Sequence, residues 1–229
     1  MDLLAIAALT FLGMHLLPST PIRGRAVATL GETGWMALFS VASLVAIWWL
    51  VNRFNNAAYG DKIWLASEVW LYVKAALILF AFVLAVAGNT SPNPSVPMGG
   101  KLLDRHDIGT GIFAITRHPL MWGIAIWALC HVVTQATPRG IAFFGSLAAT
   151  ALIGAYLQER RKRKELGERW AAFERKTSFL PFVAIAQGRA RLSLSDIGWW
   201  RLALSVALWA AFLFGHAWLF GPTPVPALA

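Results

Sequence analysis

Runs of apolar residues long enough to cross a bilayer recur along the chain, separated by short polar stretches that carry proline, glycine and charge. A helix rising ~1.5 Å per residue needs about 20 mostly apolar residues to cross a hydrocarbon core of ~30 Å. The first such run is 3–17, closed by Pro18-Ser19-Thr20-Pro21 because proline cannot extend the helical hydrogen-bond ladder. It lacks the basic leader and small-x-small cleavage pattern of a signal peptide, so it reads as a span. The second run is 34–51; past the polar loop 52–62, residues 63–70 lead amphipathically into a third over 70–87. The fourth covers 120–134, with Ile112 as an alternative start if Pro119 sits in a first turn or a kink. The turn Pro138-Arg139-Gly140 precedes the fifth, 141–157, and the last is 199–220.

Two connecting segments are more than linkers. From Gly88-Asn89-Thr90-Ser91-Pro92-Asn93-Pro94 a stretch of about 20 residues shows no apolar periodicity, longer than a connector needs, which makes it a candidate lid or binding element. Residues 158–176 are strongly basic, with Leu166, Trp170 and Phe173 at three- and four-residue spacing, the pattern of an amphipathic helix lying in the membrane interface; Leu180-Pro181-Phe182 closes that segment, 158–181. The tail Gly221-Pro222-Thr223-Pro224 carries no charge and is expected to be unordered. The expectation is one all-α membrane domain over 1–229, a helical bundle of about six spans plus one basic interfacial helix.

Composition fixes the class. The chain has 229 residues, of which 58% are hydrophobic and only 14% charged, too apolar for an ordinary soluble domain. Its net charge of +9 would suit a nucleic-acid binder, but the basic residues flank the apolar runs, where topology signals belong, so no nucleic-acid partner is expected. With the N-terminus outside, most Lys and Arg fall in cytoplasmic segments, above all in the cluster Arg160, Arg161, Lys162, Arg163, Lys164, Arg169, Arg175 and Lys176. The outside keeps Arg53, Lys62 and Arg139. That arrangement predicts a multi-pass membrane protein with both termini outside, bathed in membrane lipid. A single cysteine, Cys130, excludes an internal disulfide.

Candidate chemistry lies in the histidines. His15, His118, His131 and His216 fall in or at the edge of spans, where an ionisable side chain is costly and by default functional. At ~1.5 Å per residue His131 lies ~20 Å deeper than His118, and depth alone pairs His131 with His216 and His15 with His118. Two neutral imidazoles facing each other from neighbouring helices form an axial pair for a b-type haem. No Cys-x-x-Cys-His attachment motif is present. At the cytoplasmic edge Arg117 and His118 mark a second site, under the long loop around Asp104, Arg105, His106 and Asp107.

Five stretches carry a family resemblance: Phe11-Leu12-Gly13-Met14-His15, Arg117-His118-Pro119-Leu120-Met121-Trp122-Gly123, Trp127-Ala128-Leu129-Cys130-His131, Leu166-Gly167-Glu168-Arg169-Trp170 followed by Thr177-Ser178-Phe179-Leu180-Pro181-Phe182, and His216-Ala217-Trp218-Leu219-Phe220-Gly221. Together they resemble the NnrU family of membrane proteins over essentially the whole chain. The resemblance implies a tie to denitrification, that is, to nitrite and nitric oxide metabolism. Through relatives that include zeta-carotene isomerase, it also implies a haem-b membrane protein with isomerase-like redox chemistry. It implies haem iron held by His15 and His131; His216, which depth pairs with His131, is the further ligand candidate. The isomerase's ligand-switching cysteine, three residues before the fourth-span histidine, corresponds to Ala128 here, and Cys130 points about 100° away from His131.

A more distant likeness is to isoprenylcysteine carboxyl methyltransferases and phospholipid methyltransferases, at Arg117, His118, Glu159, Trp170 and Phe173. It implies S-adenosylmethionine as an alternative cofactor, with Arg117 or His118 on its carboxylate, Glu159 on its ammonium or ribose and the aromatics on its adenine. Arg117, His118 and Glu159 are thus the catalytic candidates. A lipophilic small molecule entering from the bilayer is the expected substrate, and a non-catalytic role beside a respiratory complex is the third reading.

Overall fold

The computed structural model describes residues 1–96, 99–105 and 107–225. Among these the chain is all helix and loop, with no strand. Five helices are long and apolar enough to cross a membrane: α1 (Asp2–Leu16, carried on to Ser19 by a single 3-10 turn), α2 (Pro21–Asn56), α3 (Glu68–Thr90), α6 (Pro138–Leu166) and α10 (Trp199–Phe220). The fourth expected span is the shorter apolar helix α5 (Pro119–Gln135) of 17 residues. Four further helices are short: α4 (Ile112–Ile115), α7 (Glu168–Lys176), α8 (Val183–Ala186) and α9 (Leu194–Ile197).

Two compact units result, one made of residues 1–66 and 128–158 and the other of 67–127 and 159–229. In the first, α1 packs along α2, burying Leu4, Ala7, Ala8 and Phe11 of α1. The polar stretch after the first span is helical after all: Thr20 accepts from the Ile22 amide as the cap of α2, Pro21 opens its first turn, and Gly31 at φ +71° kinks it. The loop after α2 is fastened rather than helical. Trp64 Nε1 donates to the Val133 carbonyl (2.8 Å), the Ile63 amide to Ala136 (2.7 Å), and buried Arg139 donates to Ala57 while its guanidinium lies 3.3 Å from the Tyr59 ring centroid.

In the second unit α3 is the central helix. Its contacts pair Thr90 with Arg201, Phe82 with Ser205 and Ala75 with Trp209, so α10 runs antiparallel to it. On another side Gly88 faces Pro119 and Gly123 faces Ala81 and Ala85, which sets the start of α5 antiparallel too, at a spacing only glycine permits. The core gathers Leu84, Ala87, Ile112, Phe113, Ile115, Trp170, Phe173 and Ile197.

The basic segment 158–176 is two helices rather than one. Residues 158–166 are the end of α6, and Gly167, at φ +51°, breaks the chain so that α7 starts afresh. Trp170 and Phe173, the apolar face of α7, are 0% and 1% exposed, so that face is covered by protein rather than by lipid. The tail is also more ordered than composition suggests, since His216 Nδ1 donates to the Pro222 carbonyl (2.7 Å).

Candidate functional site

The histidines separate by unit. His15 and His131 belong to the first, His118 and His216 to the second. His15 is half-buried near the end of α1, with its ring between Phe11 (4.1 Å between centroids) and Phe39 of α2 (5.7 Å). Its Nδ1 lies 2.8 Å from the Phe11 carbonyl. A carbonyl only accepts, so Nδ1 carries the proton and Nε2 presents a lone pair, which meets no hydrogen-bond donor among the described residues. This is the tautomer a metal-ligating histidine takes when its second nitrogen is held by a backbone carbonyl. His131 stacks on Phe144 (4.8 Å, 27° between planes), and Phe144 in turn meets Phe54 edge-on. Ala128 and Cys130 beside it are both buried. His216 has the same Nδ1-bonded pattern as His15. Among the described residues no group of three or more His, Cys, Asp and Glu gathers at one point. A bis-imidazole haem asks for two ligands only; His15 lies against Phe39, whereas Phe144 under the His131 ring meets Phe54, 15 residues further along α2, so the described contacts do not bring these two imidazoles face to face.

The second unit brings together Arg117, His118 and Glu159, which stand 42 and 41 residues apart in sequence. Arg117 and His118 lie between α4 and α5, where Thr116 and Pro119 break the helix. Thr116 is fully buried, with its hydroxyl donating to the Phe179 carbonyl (2.7 Å). The Arg117 amide donates to Ser178 O and the Phe182 amide to Ile115 O (both 2.8 Å), and Trp122 Nε1 shares the Phe179 carbonyl (2.8 Å). This seam between residues 115–122 and 178–182 fixes the Arg117 side chain inward.

Glu159 Oε1 then accepts from Arg117 Nε (2.5 Å) and from His118 Nε2 (3.2 Å). Arg117 Nη1 donates to the Thr177 carbonyl (3.1 Å). The side chains of Arg117 and Glu159 are each 7% exposed and that of His118 1%. Burial pushes the His118 imidazole below the usual histidine range, against the pull of the Glu159 carboxylate. A neutral His118 therefore donates from Nε2 to the carboxylate and keeps its lone pair on Nδ1.

Around this triad lie residues that sequence reading did not single out. Glu174 accepts from Arg163 (2.6 Å) and from Trp170 Nε1 (3.1 Å), and Arg189 Nη1 donates to the carbonyls of Glu174, Arg175 and Thr177 that end α7. Arg117, Arg163, Glu174 and Arg189 line an open groove of about 360 Å³.

The long loop is tied down over this region. Ser95 Oγ donates to the Arg117 carbonyl (3.1 Å), buried Lys162 donates to Pro94 and Val96 carbonyls, and Arg169 holds Asp104. Arg105 pairs with Asp107, while His106 lies outside the described residues. Trp170 and Phe173, assigned to an adenine ring by the methyltransferase likeness, have both faces spent on core packing, so only Arg117, His118 and Glu159 of that set form a polar site.

Comparison with known proteins identifies the family. The chain is 31% identical over 167 residues to a chloroplastic 15-cis-zeta-carotene isomerase of Zea mays, covering 71% of this chain and 44% of that protein. It is 29% identical over 168 residues to the Arabidopsis thaliana enzyme of the same name, covering 70% and 44%. The chain thus spans less than half the length of these curated relatives. No solved structure shows significant similarity to it. The sequence model described as NnrU protein matches residues 3–224, nearly the whole chain, and the chain belongs to the NnrU family.

Proposed function

We propose that the protein is a haem-b-binding membrane protein with isomerase-like chemistry on a lipophilic substrate that reaches it from the bilayer, with His15 the residue that would hold the haem iron and His131 the candidate second ligand. The observation that carries this reading is the His15 ring. Its Nδ1 proton is committed to the Phe11 carbonyl, which leaves Nε2 ready to ligate inside an apolar, aromatic setting. The similarity to two 15-cis-zeta-carotene isomerases supports the reaction class. A bound haem would supply a redox-active iron. The chain's own part is to orient the imidazoles and keep their surroundings apolar, as the Phe11, Phe39 and Phe144 rings do. The tie to nitrite and nitric oxide metabolism, and a site in the bacterial inner membrane with periplasmic termini, rest on the family likeness and on the distribution of Lys and Arg.

An absorption spectrum of protein purified in mild detergent from haem-replete cells tests this. A Soret band is expected in the native chain, lost in His15→Ala and in His131→Ala and retained in His118→Ala. A colourless protein, or a band that survives both of the first two substitutions, overturns it.

A further inference from the structure

The groove beside the Arg117–Glu159 pair has a use that the haem reading does not touch. Three guanidiniums, Arg117, Arg163 and Arg189, line it against one carboxylate, Glu174; with Glu159, which pairs with Arg117 from behind, the local charge is 3 − 2 = +1. The Glu174 carboxylate accepts from Arg163 on both oxygens (3.1 Å each from Nε) and from the Trp170 indole. Arg117 is the informative wall. It is only 6% exposed, its Nε and Nη1 are committed to Glu159 and Thr177, and its Nη2 makes no hydrogen bond among the described residues, lying 3.9 Å from the nearest Glu174 oxygen. That Nη2 opens onto the groove, so an anchored guanidinium presents spare N–H bonds to whatever occupies it. The other wall is apolar: Val183 and Leu180, the latter 52% exposed, stand at the same groove.

We infer that this groove binds an anionic phospholipid, whose phosphate sits on Arg117 Nη2 with Arg163 and Arg189 around it and whose acyl chain runs along Leu180 and Val183. Charge complementarity and the half-polar, half-apolar lining favour an amphiphile over a purely polar anion. The assignment is independent of haem: the groove residues all belong to the second unit, whereas His15 and His131 belong to the first.

Purified protein in uncharged detergent is titrated with dihexanoyl phosphatidylglycerol, the matching phosphatidylcholine and inorganic phosphate, read by calorimetry and by native mass spectrometry. One phosphatidylglycerol should bind saturably, with phosphatidylcholine at least about tenfold weaker. Arg163→Gln and Leu180→Asp, both at exposed positions that leave the Arg117–Glu159 pair intact, should each weaken binding about tenfold, the scale of one charge-assisted contact. Arg160→Gln with Lys164→Gln, exposed on the same basic run but outside the groove, should leave it unchanged. Equal losses in the groove and control variants would reduce the effect to diffuse surface charge and overturn the site. Inorganic phosphate binding as tightly as the lipid would overturn the lipid assignment, and no saturable binding would overturn both.

Discussion

Replacing Arg117 by methionine removes the cation from a pair in which both side chains are 7% exposed. The substitution keeps roughly the volume of the side-chain stem and strands the Glu159 carboxylate. Its remaining partners are His118 at 3.2 Å and Arg163 Nη2 at 3.9 Å. Breaking a buried ion pair from one side costs about 3–5 kcal/mol, because the surviving charge has lost its compensation but not its desolvation. His118 can take up a proton and restore part of that, which places the expected loss near the lower end, ~3 kcal/mol, or roughly a 150-fold shift in the folding equilibrium.

Removing both charges, with Arg117→Met and Glu159→Leu together, should cost clearly less than the sum of the single losses, since no unpaired charge is left inside. Reversible denaturation in mild detergent, followed by circular dichroism, measures all three variants against the native chain. Arg105→Met, which breaks an exposed pair with Asp107, serves as the control and should be indistinguishable from native. A loss for Arg117→Met no larger than that control, or strict additivity in the double variant, would refute the claim that this pair is a coupled buried unit.

Two further outcomes follow from the same structure. Because burial lowers the His118 pKa from 6.5, the folded state favours the neutral ring; stability is complete above that pH and declines as pH falls through and below it, where the unfolded chain binds the extra proton. Denaturation at about pH 8 and about pH 5 should show a smaller pH-dependent loss in His118→Gln than in the native protein, and an unchanged loss would contradict it. Gly88→Ala would bring a Cβ to 2.8 Å from Pro119 and 2.9 Å from the Leu120 amide, so it should cost about 1–3 kcal/mol, whereas Gly154→Ala, with nothing within 4 Å, should leave the melting temperature unchanged or raised.

The spans were legible because apolar length is a one-dimensional signal, and α1, α3 and α10 fall within a few residues of the runs that predict them. What escaped was backbone geometry at particular residues. Thr20 and Pro21 start α2 well before its apolar part, and Gly167 turns one apparent amphipathic helix into the end of α6 and a separate α7. Periodicity placed Leu166, Trp170 and Phe173 on one face but could not say whether lipid or protein covers it. Of the polar site, Arg117, His118 and Glu159 were nameable from their resemblance to known motifs. Their shared carboxylate oxygen was not, since a contact over 41 residues leaves no local pattern. Glu174 had a faint signal, four residues after Trp170 and so on its face of α7, while Arg189 and Lys162 act on backbone carbonyls that no sequence displays.

The stitching of residues 115–122 to 178–182 ends every bond on a main-chain oxygen, those of Ile115, Ser178 and Phe179. For these bonds the accepting side is nearly blind to which amino acid supplies it, while the Phe179 ring adds edge-on contacts to His118 and Trp122. Only the donors are particular: a hydroxyl at 116, an indole at 122, and anything but proline at 117 and 182. A join written this way lets the wall of the groove change its lining, and hence its guest, while the guanidinium behind it stays where it is.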